Sequence, residues 1–135
     1  NATLDMAMEY NFEYVDFYTC MAYPGSKLYT DSIKGGLEPN KTWHSYSQLG
    51  TETRPLPSKY LSSMEILKFR DEAFIKYFRN EKYLTMINEK FGKKAVEHIN
   101  DMLKIKLERN IIMNDLKDYE RYPVVHQMEL EKSVL

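Results

Sequence analysis

The prolines and glycines of this chain are concentrated in one stretch, which constrains the fold more than any other feature. Four of the five prolines and four of the five glycines lie between positions 24 and 57. Proline fixes φ and has no N–H to donate, and glycine permits sharp turns, so this density excludes a continuous helix or strand through the stretch. We therefore expect an irregular middle, with more regular segments before and after it.

The segment before this stretch contains the clearest predicted strand, from about Glu13 to Met21. Aromatic and β-branched residues, which favour strands, dominate it. An extended chain sends alternate side chains to opposite sides, so Val15, Phe17, Thr19 and Met21 would share one face. The intervening residues would share the other face.

A tight turn and a short helix are predicted directly after this strand. Pro24 cannot donate a main-chain hydrogen bond and Gly25 permits a sharp turn, so the run Tyr23-Pro24-Gly25 would stop the strand. Ser26 can cap a helix from Lys27 to about Lys34. In (β/α) barrels the active site gathers where the strands end, so this turn is a position from which the main chain could approach a ligand.

The residues after the irregular stretch show helical periodicity. Ser62 and Glu65 match the capping-box pattern and predict a helix that ends near Arg79. Further helices are predicted over 82–91 and 93–109, and a short one over 3–10. The weak alternation from Val124 to Leu130 is compatible with a second strand.

Together these patterns predict a mostly helical α+β fold with one N-terminal βα unit. We expect a strand–turn–helix unit at 1–36, an irregular connecting loop at 37–60, a helical C-terminal domain at 61–118 and a tail at 119–135. A single strand has open edges that seek a partner, which favours a homodimer through the exposed strand.

Composition and charge narrow the classes of function. The net charge of −1 gives no general attraction to nucleic acid, and no apolar run approaches the length of a membrane span. A single cysteine, Cys20, excludes an internal disulfide and suits a reducing cytoplasm. It also excludes a cysteine-ligated iron–sulfur cluster held by this chain alone. His44, His98 and His126 lack metal-ligand spacing.

Arg70 breaks the apolar stripe of its predicted helix. A buried guanidinium requires partners, so we expect a carboxylate or several main-chain carbonyls beside it. Such contacts would fix the helix to the loop before it. The alternative is that Arg70 anchors an anionic group of a ligand or of another domain.

Three segments resemble one enzyme family. The run from Phe17 to Tyr29, Phe-Tyr-Thr-Cys-Met-Ala-Tyr-Pro-Gly-Ser-Lys-Leu-Tyr, resembles the end of the radical S-adenosylmethionine barrel in cobalamin-binding members. Residues 43–48 and 69–74 resemble the C-terminal extension of the same group. Proteins named magnesium-protoporphyrin IX monomethyl ester anaerobic oxidative cyclases, and related iron–sulfur oxidoreductases, belong to it. The likeness runs from about Thr3 to Arg109.

The resemblance implies a longer cytoplasmic parent enzyme, an oxidoreductase or methyltransferase, whose upstream domains are the partners of this chain. In the parent, a cobalamin domain precedes a barrel that holds a 4Fe-4S cluster and cleaves S-adenosylmethionine. The cluster ligands belong to a Cys-x3-Cys-x2-Cys motif, which a chain with one cysteine lacks. We therefore carry over no catalytic, metal or cofactor residue and expect this chain alone not to be catalytic.

The role implied for this region is to cap the barrel and to line the cavity for a small-molecule substrate of unknown identity. We predict the following wall residues: Tyr23, Gly25, Trp43, Tyr46, Arg54 and Arg70.

Two other classes of function remain open from the residues. A stand-alone helical protein-interaction module would present an apolar groove on the helices from Ser63 to Arg109. An independent small enzyme would require His44 to meet Asp16 or Glu52 around a pocket.

Overall fold

The computed structural model of the chain describes residues 2–113. In this range there are six α-helices and one 3-10 helix between Trp43 and Tyr46. The α-helices are α1 (Ala2–Tyr10), α2 (Lys27–Lys34), α3 (Ser63–Phe78), α4 (Glu81–Phe91), α5 (Lys93–Met102) and α6 (Asn110–Met113). The predicted strand in the tail at 119–135 falls outside the described residues.

The predicted α+β fold with an N-terminal βα unit is wrong, because the regular elements within residues 2–113 are all helices and no β-strand is among them. The run from Glu13 to Met21 lies outside regular secondary structure. Its predicted alternation is nevertheless confirmed: the odd-numbered side chains from Val15 to Met21 are buried or half-buried, whereas Tyr14, Asp16, Tyr18 and Cys20 are exposed. One side of the segment is buried and the other is exposed, as in the edge of a sheet, but residues 2–113 contain no neighbouring strand.

Side chains take the place of a neighbouring strand along this segment. Its carbonyl groups accept hydrogen bonds from Tyr77 Oη (to Phe12, 2.6 Å), Tyr83 Oη (to Glu13, 3.2 Å) and Arg70 Nε (to Phe17, 2.8 Å). At Thr19, the Gln48 amide accepts from the main-chain N–H at 3.0 Å and donates to the carbonyl at 2.9 Å, as a facing peptide group would. Residues 2–113 therefore contain no exposed strand through which the predicted homodimer could form.

The chain divides into two compact units. The helical unit comprises residues 2–18 together with Lys68–Glu108, and the loop unit comprises Thr19–Leu67 together with residues 109–113.

The helical unit has an aromatic and aliphatic core. Its most buried members come from α1, α3, α4 and α5: Leu4, Ala7, Ala73, Tyr77, Phe78, Tyr83, Ile87 and Ile99. The rings of Tyr77, Phe78 and Tyr83 pack at centroid distances of 5.1–5.3 Å, in tilted and edge-to-face arrangements. Val15 and Phe17 of the extended segment pack against this core.

Hydrogen bonds from side chains to the main chain are prominent in the loop unit. Arg109, 2% exposed, donates from Nη1 to the Gly50 carbonyl at 2.8 Å and to Thr53 Oγ1 at 2.9 Å, and from Nη2 to the Gln48 carbonyl at 3.2 Å. Thr53 is fully buried, and its single hydroxyl hydrogen is shared between the carbonyl oxygens of residues 47 and 50, which lie 2.6 Å and 2.5 Å from Oγ1. These bonds fix the turn at 47–53.

Most predicted helix boundaries are confirmed. Ser62 and Glu65 form the capping box, with Ser62 N donating to Glu65 Oε2 at 2.8 Å and Glu65 N to Ser62 Oγ at 3.2 Å. Asn11, at φ 53°, ends α1 in the left-handed conformation, which asparagine tolerates. The helix predicted over 93–109 is too long, because α5 ends at Met102 and the chain then departs from the helix before Arg109 enters the loop unit.

Among the helices of residues 2–113, none combines the length and the apolar character that crossing a bilayer requires.

Candidate functional site

The turn at residues 23–26 forms as the sequence predicted. Ser26 donates to the Tyr23 carbonyl from its main-chain N at 3.0 Å and from Oγ at 2.7 Å, and Ser26 Oγ accepts from Tyr29 N at 3.1 Å. Gly25 adopts φ +88°, which residues with a side chain rarely adopt. No other atom lies within 4 Å of the position that a Cβ of Gly25 would occupy, so the turn requires glycine for its conformation and not for a close contact.

Three of the predicted wall residues form an aromatic group beside this turn. The ring centroid of Tyr46 lies 6.0 Å from that of Tyr23 and 6.0 Å from that of Trp43. Tyr46 is buried, whereas Trp43 is 76% exposed and Tyr23 is 47% exposed. Burial raises the pKa of the Tyr46 phenol, and the nearby Tyr29 phenol adds to the rise.

Arg54 lines a small pocket together with Tyr46. Their neighbours in its wall include Tyr29, Pro39, Pro55 and Pro57. The pocket has a volume of about 20 Å³, which is room for about one water molecule. The loop unit therefore supplies an aromatic and cationic wall but no cavity of substrate size at this position.

Arg70 is not part of this group, because it belongs to the helical unit. Its side chain is buried and donates from Nη1 to Asp71 Oδ1 at 2.8 Å, besides the bond to the Phe17 carbonyl. Its guanidinium also lies 5.7 Å from the ring centroid of Phe74. The expected carboxylate and carbonyl partners are confirmed, but the segment that Arg70 fixes is the extended run at Phe17 and not the loop directly before its helix.

The remaining reactive side chains are dispersed. No group of three or more His, Cys, Asp or Glu residues able to hold a metal ion occurs in the described range. Cys20 is exposed. His44 is exposed on the 3-10 helix, while Glu52 accepts a hydrogen bond from Thr42 Oγ1 at 2.7 Å. No hydrogen bond joins His44 to Glu52 in residues 2–113.

Two residues that organise this region were not predicted as such. Gln48 lies in the segment 43–48, which resembles the C-terminal extension of the enzyme family. Its position in the sequence gave no indication that its amide would pair with the main chain of Thr19. Arg109 stands in a run of mixed charges that predicts a solvated helix face. Its burial depends on contacts with residues 48–53, which no local pattern indicates.

Comparison with known proteins adds no relative. Scans of protein-family models, of curated proteins and of solved structures each returned no match to this chain.

Proposed function

We propose that this chain is the C-terminal cap of a larger cytoplasmic radical S-adenosylmethionine enzyme of the cobalamin-dependent kind, in which it lines the substrate cavity without being catalytic itself. One observation carries the proposal. Four of the six predicted wall residues, Tyr23, Trp43, Tyr46 and Arg54, lie together in the loop unit although they are scattered along the sequence.

The chain's own residues do not fit an iron–sulfur cluster. It has one cysteine, and its described residues contain no cluster of candidate metal ligands. Cysteine-ligated clusters need three or more thiolates. The cofactor chemistry would therefore belong to upstream domains of the parent, and we assign this chain no step of it.

What this chain would contribute is one wall of a cavity. Tyrosine and tryptophan present large rigid apolar surfaces that order a ligand at small entropic cost, and a guanidinium can pair with an anionic group. The pocket beside Tyr46 is far below substrate size, so the opposite wall would come from the barrel. Closure of the two walls would exclude water from the substrate.

The first test is the full-length open reading frame. It should encode a Cys-x3-Cys-x2-Cys motif upstream of this region. A frame that starts directly before Thr3 would contradict the proposal.

The second test compares two aromatic substitutions in the full-length enzyme after reconstitution with iron, sulfide and cobalamin. Trp43→Ala should raise the consumption of S-adenosylmethionine per product formed, because an incomplete wall holds the substrate less firmly. Tyr60→Ala is the matched control, since Tyr60 is 78% exposed in the same unit and is not a predicted wall residue. Equal coupling ratios in the two variants would argue against a wall role for Trp43.

The helical interaction module is the second candidate, and one observation favours it. Tyr10, Phe12, Tyr14 and Tyr18 are exposed by 49–69%, and the rings of Tyr10 and Phe12 stack at 5.6 Å. Exposed apolar groups of this size are typical of surfaces that another molecule covers. In this case the contact surface would be the extended segment and not the predicted groove on the helices. An open reading frame without upstream domains would favour this candidate.

A further inference from the structure

The run from Tyr14 to Tyr18, here called the edge segment, belongs to the helical unit and is anchored on one side. Val15 and Phe17 pack against the core of that unit, and the Phe17 carbonyl accepts from Arg70 Nε at 2.8 Å. On the other side, Tyr14 is 69% exposed and Tyr18 is 65% exposed. The helices therefore hold this segment extended and leave one of its faces to solvent.

The main-chain groups of the edge segment are available for pairing at one edge. In an extended chain the N–H and C=O groups of successive residues point to opposite edges. Residue 17 points its carbonyl at Arg70, so the groups of residues 14, 16 and 18 point the other way. Within residues 2–113, none of these N–H and C=O groups forms a hydrogen bond to another residue. Such an edge is a template to which another strand can add.

Asp16 decides which kind of strand fits this edge. It is exposed between the two tyrosines, where it accepts a hydrogen bond from Tyr14 Oη at 3.2 Å, and no ion pair of the described range includes it. A second copy of this chain, paired antiparallel about Asp16, would place two like charges directly opposite each other, which is destabilising. A lysine or arginine at that place would form a favourable cross-strand pair.

We propose that the edge segment binds an extended segment of a partner protein as an added antiparallel strand, with a lysine or arginine facing Asp16 and β-branched residues facing Tyr14 and Tyr18. Three residues of the partner exchange main-chain hydrogen bonds with residues 14, 16 and 18, and its β-branched side chains cover the exposed rings. The inference rests on the second candidate function, whose contact surface it defines, and not on the radical-enzyme proposal. The open reading frame tests that function separately, so the two can fail independently.

The test is an NMR titration of the isotopically labelled 135-residue chain with the peptide Ac-Thr-Val-Thr-Lys-Thr-Val-Thr-NH2. In the proposed register its lysine faces Asp16 and its valines face the two tyrosines. Saturable binding is expected, in which the amide signals of residues 14, 16 and 18 move and their hydrogen exchange slows. The same peptide with glutamate in place of lysine should bind about fivefold more weakly.

Two methylated peptides test the main-chain pairing itself. A methyl group on the main-chain nitrogen of the lysine removes a donor that faces the edge segment, whereas one on the nitrogen of the preceding threonine points away from it. The first methyl group should weaken binding by more than about tenfold, because it removes one hydrogen bond and obstructs its neighbours. The second peptide is the matched control and should bind like the parent peptide.

Charge reversal in the protein completes the test. Asp16→Lys should reverse the order, so that the glutamate peptide binds more tightly than the lysine peptide. Glu89→Lys is the matched control, because it reverses the same charge at an exposed position of α4 in the same unit, and it should keep the wild-type order. Circular dichroism of each variant checks that the helices are intact.

Four outcomes would overturn the proposal. Three are the absence of saturable binding by the lysine peptide, equal binding of the two methylated peptides, and an unchanged order of peptides in Asp16→Lys. The fourth is a dimer of the free chain in sedimentation velocity whose amides at 14, 16 and 18 already exchange slowly, since the occupant would then be a second copy.

Discussion

The helical unit and the loop unit differ in how they accommodate a buried arginine. Each buries an arginine: Arg70 in the helical unit and Arg109 in the loop unit. Arg70 lies beside an aromatic core whose other members are mainly apolar. Its hydrogen bonds go to the Phe17 carbonyl and to Asp71. Around Arg109 the arginine is itself the centre, donating to two main-chain carbonyls and to Thr53.

This difference indicates what stabilises each unit. Burial of large apolar side chains dominates where helices can present continuous stripes. A segment rich in proline and glycine has few such stripes, so its unpaired main-chain groups must be bonded one at a time by side chains. We therefore expect the helical unit to be most sensitive to lost volume and the loop unit to be most sensitive to lost hydrogen bonds.

The largest expected effect is the loss of ring volume in the helical unit. Phe78 is 1% exposed and its ring lies 4.7–5.3 Å from those of Phe74, Tyr77 and Tyr83. Phe78→Ala should lower the free energy of unfolding by about 3–5 kcal/mol, because a cavity is added to the lost transfer energy. Urea denaturation followed by circular dichroism measures this loss.

Ile75→Ala is the control for Phe78→Ala, since Ile75 lies on the same helix and is 42% exposed. It should cost less than about 1 kcal/mol. Equal costs for the two substitutions would break the claim that apolar burial dominates the helical unit.

The second effect is the loss of a hydrogen-bond centre in the loop unit. Arg109→Met keeps most of the side-chain volume but leaves the carbonyls of Gln48 and Gly50 without these donors. The expected cost is about 2–4 kcal/mol. Hydrogen exchange of the amides at 45–54 measures it locally, and Lys106→Met, at an exposed position, should leave the exchange unchanged. Slow exchange retained in Arg109→Met would show that apolar packing suffices there.

The sequence predicted local chemistry better than long-range pairing. The capping box at Ser62 and Glu65 and the cap at Ser26 form as expected, because each depends on residues three positions apart. The alternation around Phe17 also forms, because a two-residue period reports burial on one side of an extended chain. That period does not specify the hydrogen-bond partner, and here Gln48 and helix side chains take the role that a strand would have had.

The candidate site was predictable in part for the same reason. Tyr23, Trp43 and Tyr46 lie close together, as a shared wall requires. Arg70 was selected because it broke a stripe, and that pattern indicates burial of a charge without indicating where its partner lies. Arg109 gave no signal, since its surroundings read as a solvated helix and its partners come from distant residues 48–53.

The smallest expected effect is a fall in the stability of the helical unit at high pH, which reports on the aromatic core. Burial, assisted by the neighbouring Tyr77 and Tyr14 phenols, raises the pKa of Tyr83 from 10.0 to about 12. The folded state then holds the Tyr83 proton more tightly than the unfolded state does. The contribution of this phenol to the free energy of unfolding is therefore complete below pH 10 and is lost as the pH rises toward 12. Stability should fall by up to about 2 kcal/mol across this window. Denaturation midpoints at a series of pH values measure the fall.

Tyr83→Phe separates this titration from the others in the same range. The variant loses the hydrogen bond to the Glu13 carbonyl at every pH, which lowers its stability by about 1 kcal/mol. Because this loss is the same at every pH, it does not itself affect the slope of stability against pH. Other groups that change their charge in this pH range contribute equally to both proteins. The wild-type slope between pH 10 and 12 should therefore be steeper than that of Tyr83→Phe, because only the wild-type chain has the Tyr83 phenol to keep neutral in the core. Identical slopes would mean that the phenol of Tyr83 is accessible to water, and that the aromatic core is less tightly closed than the comparison of the two units requires.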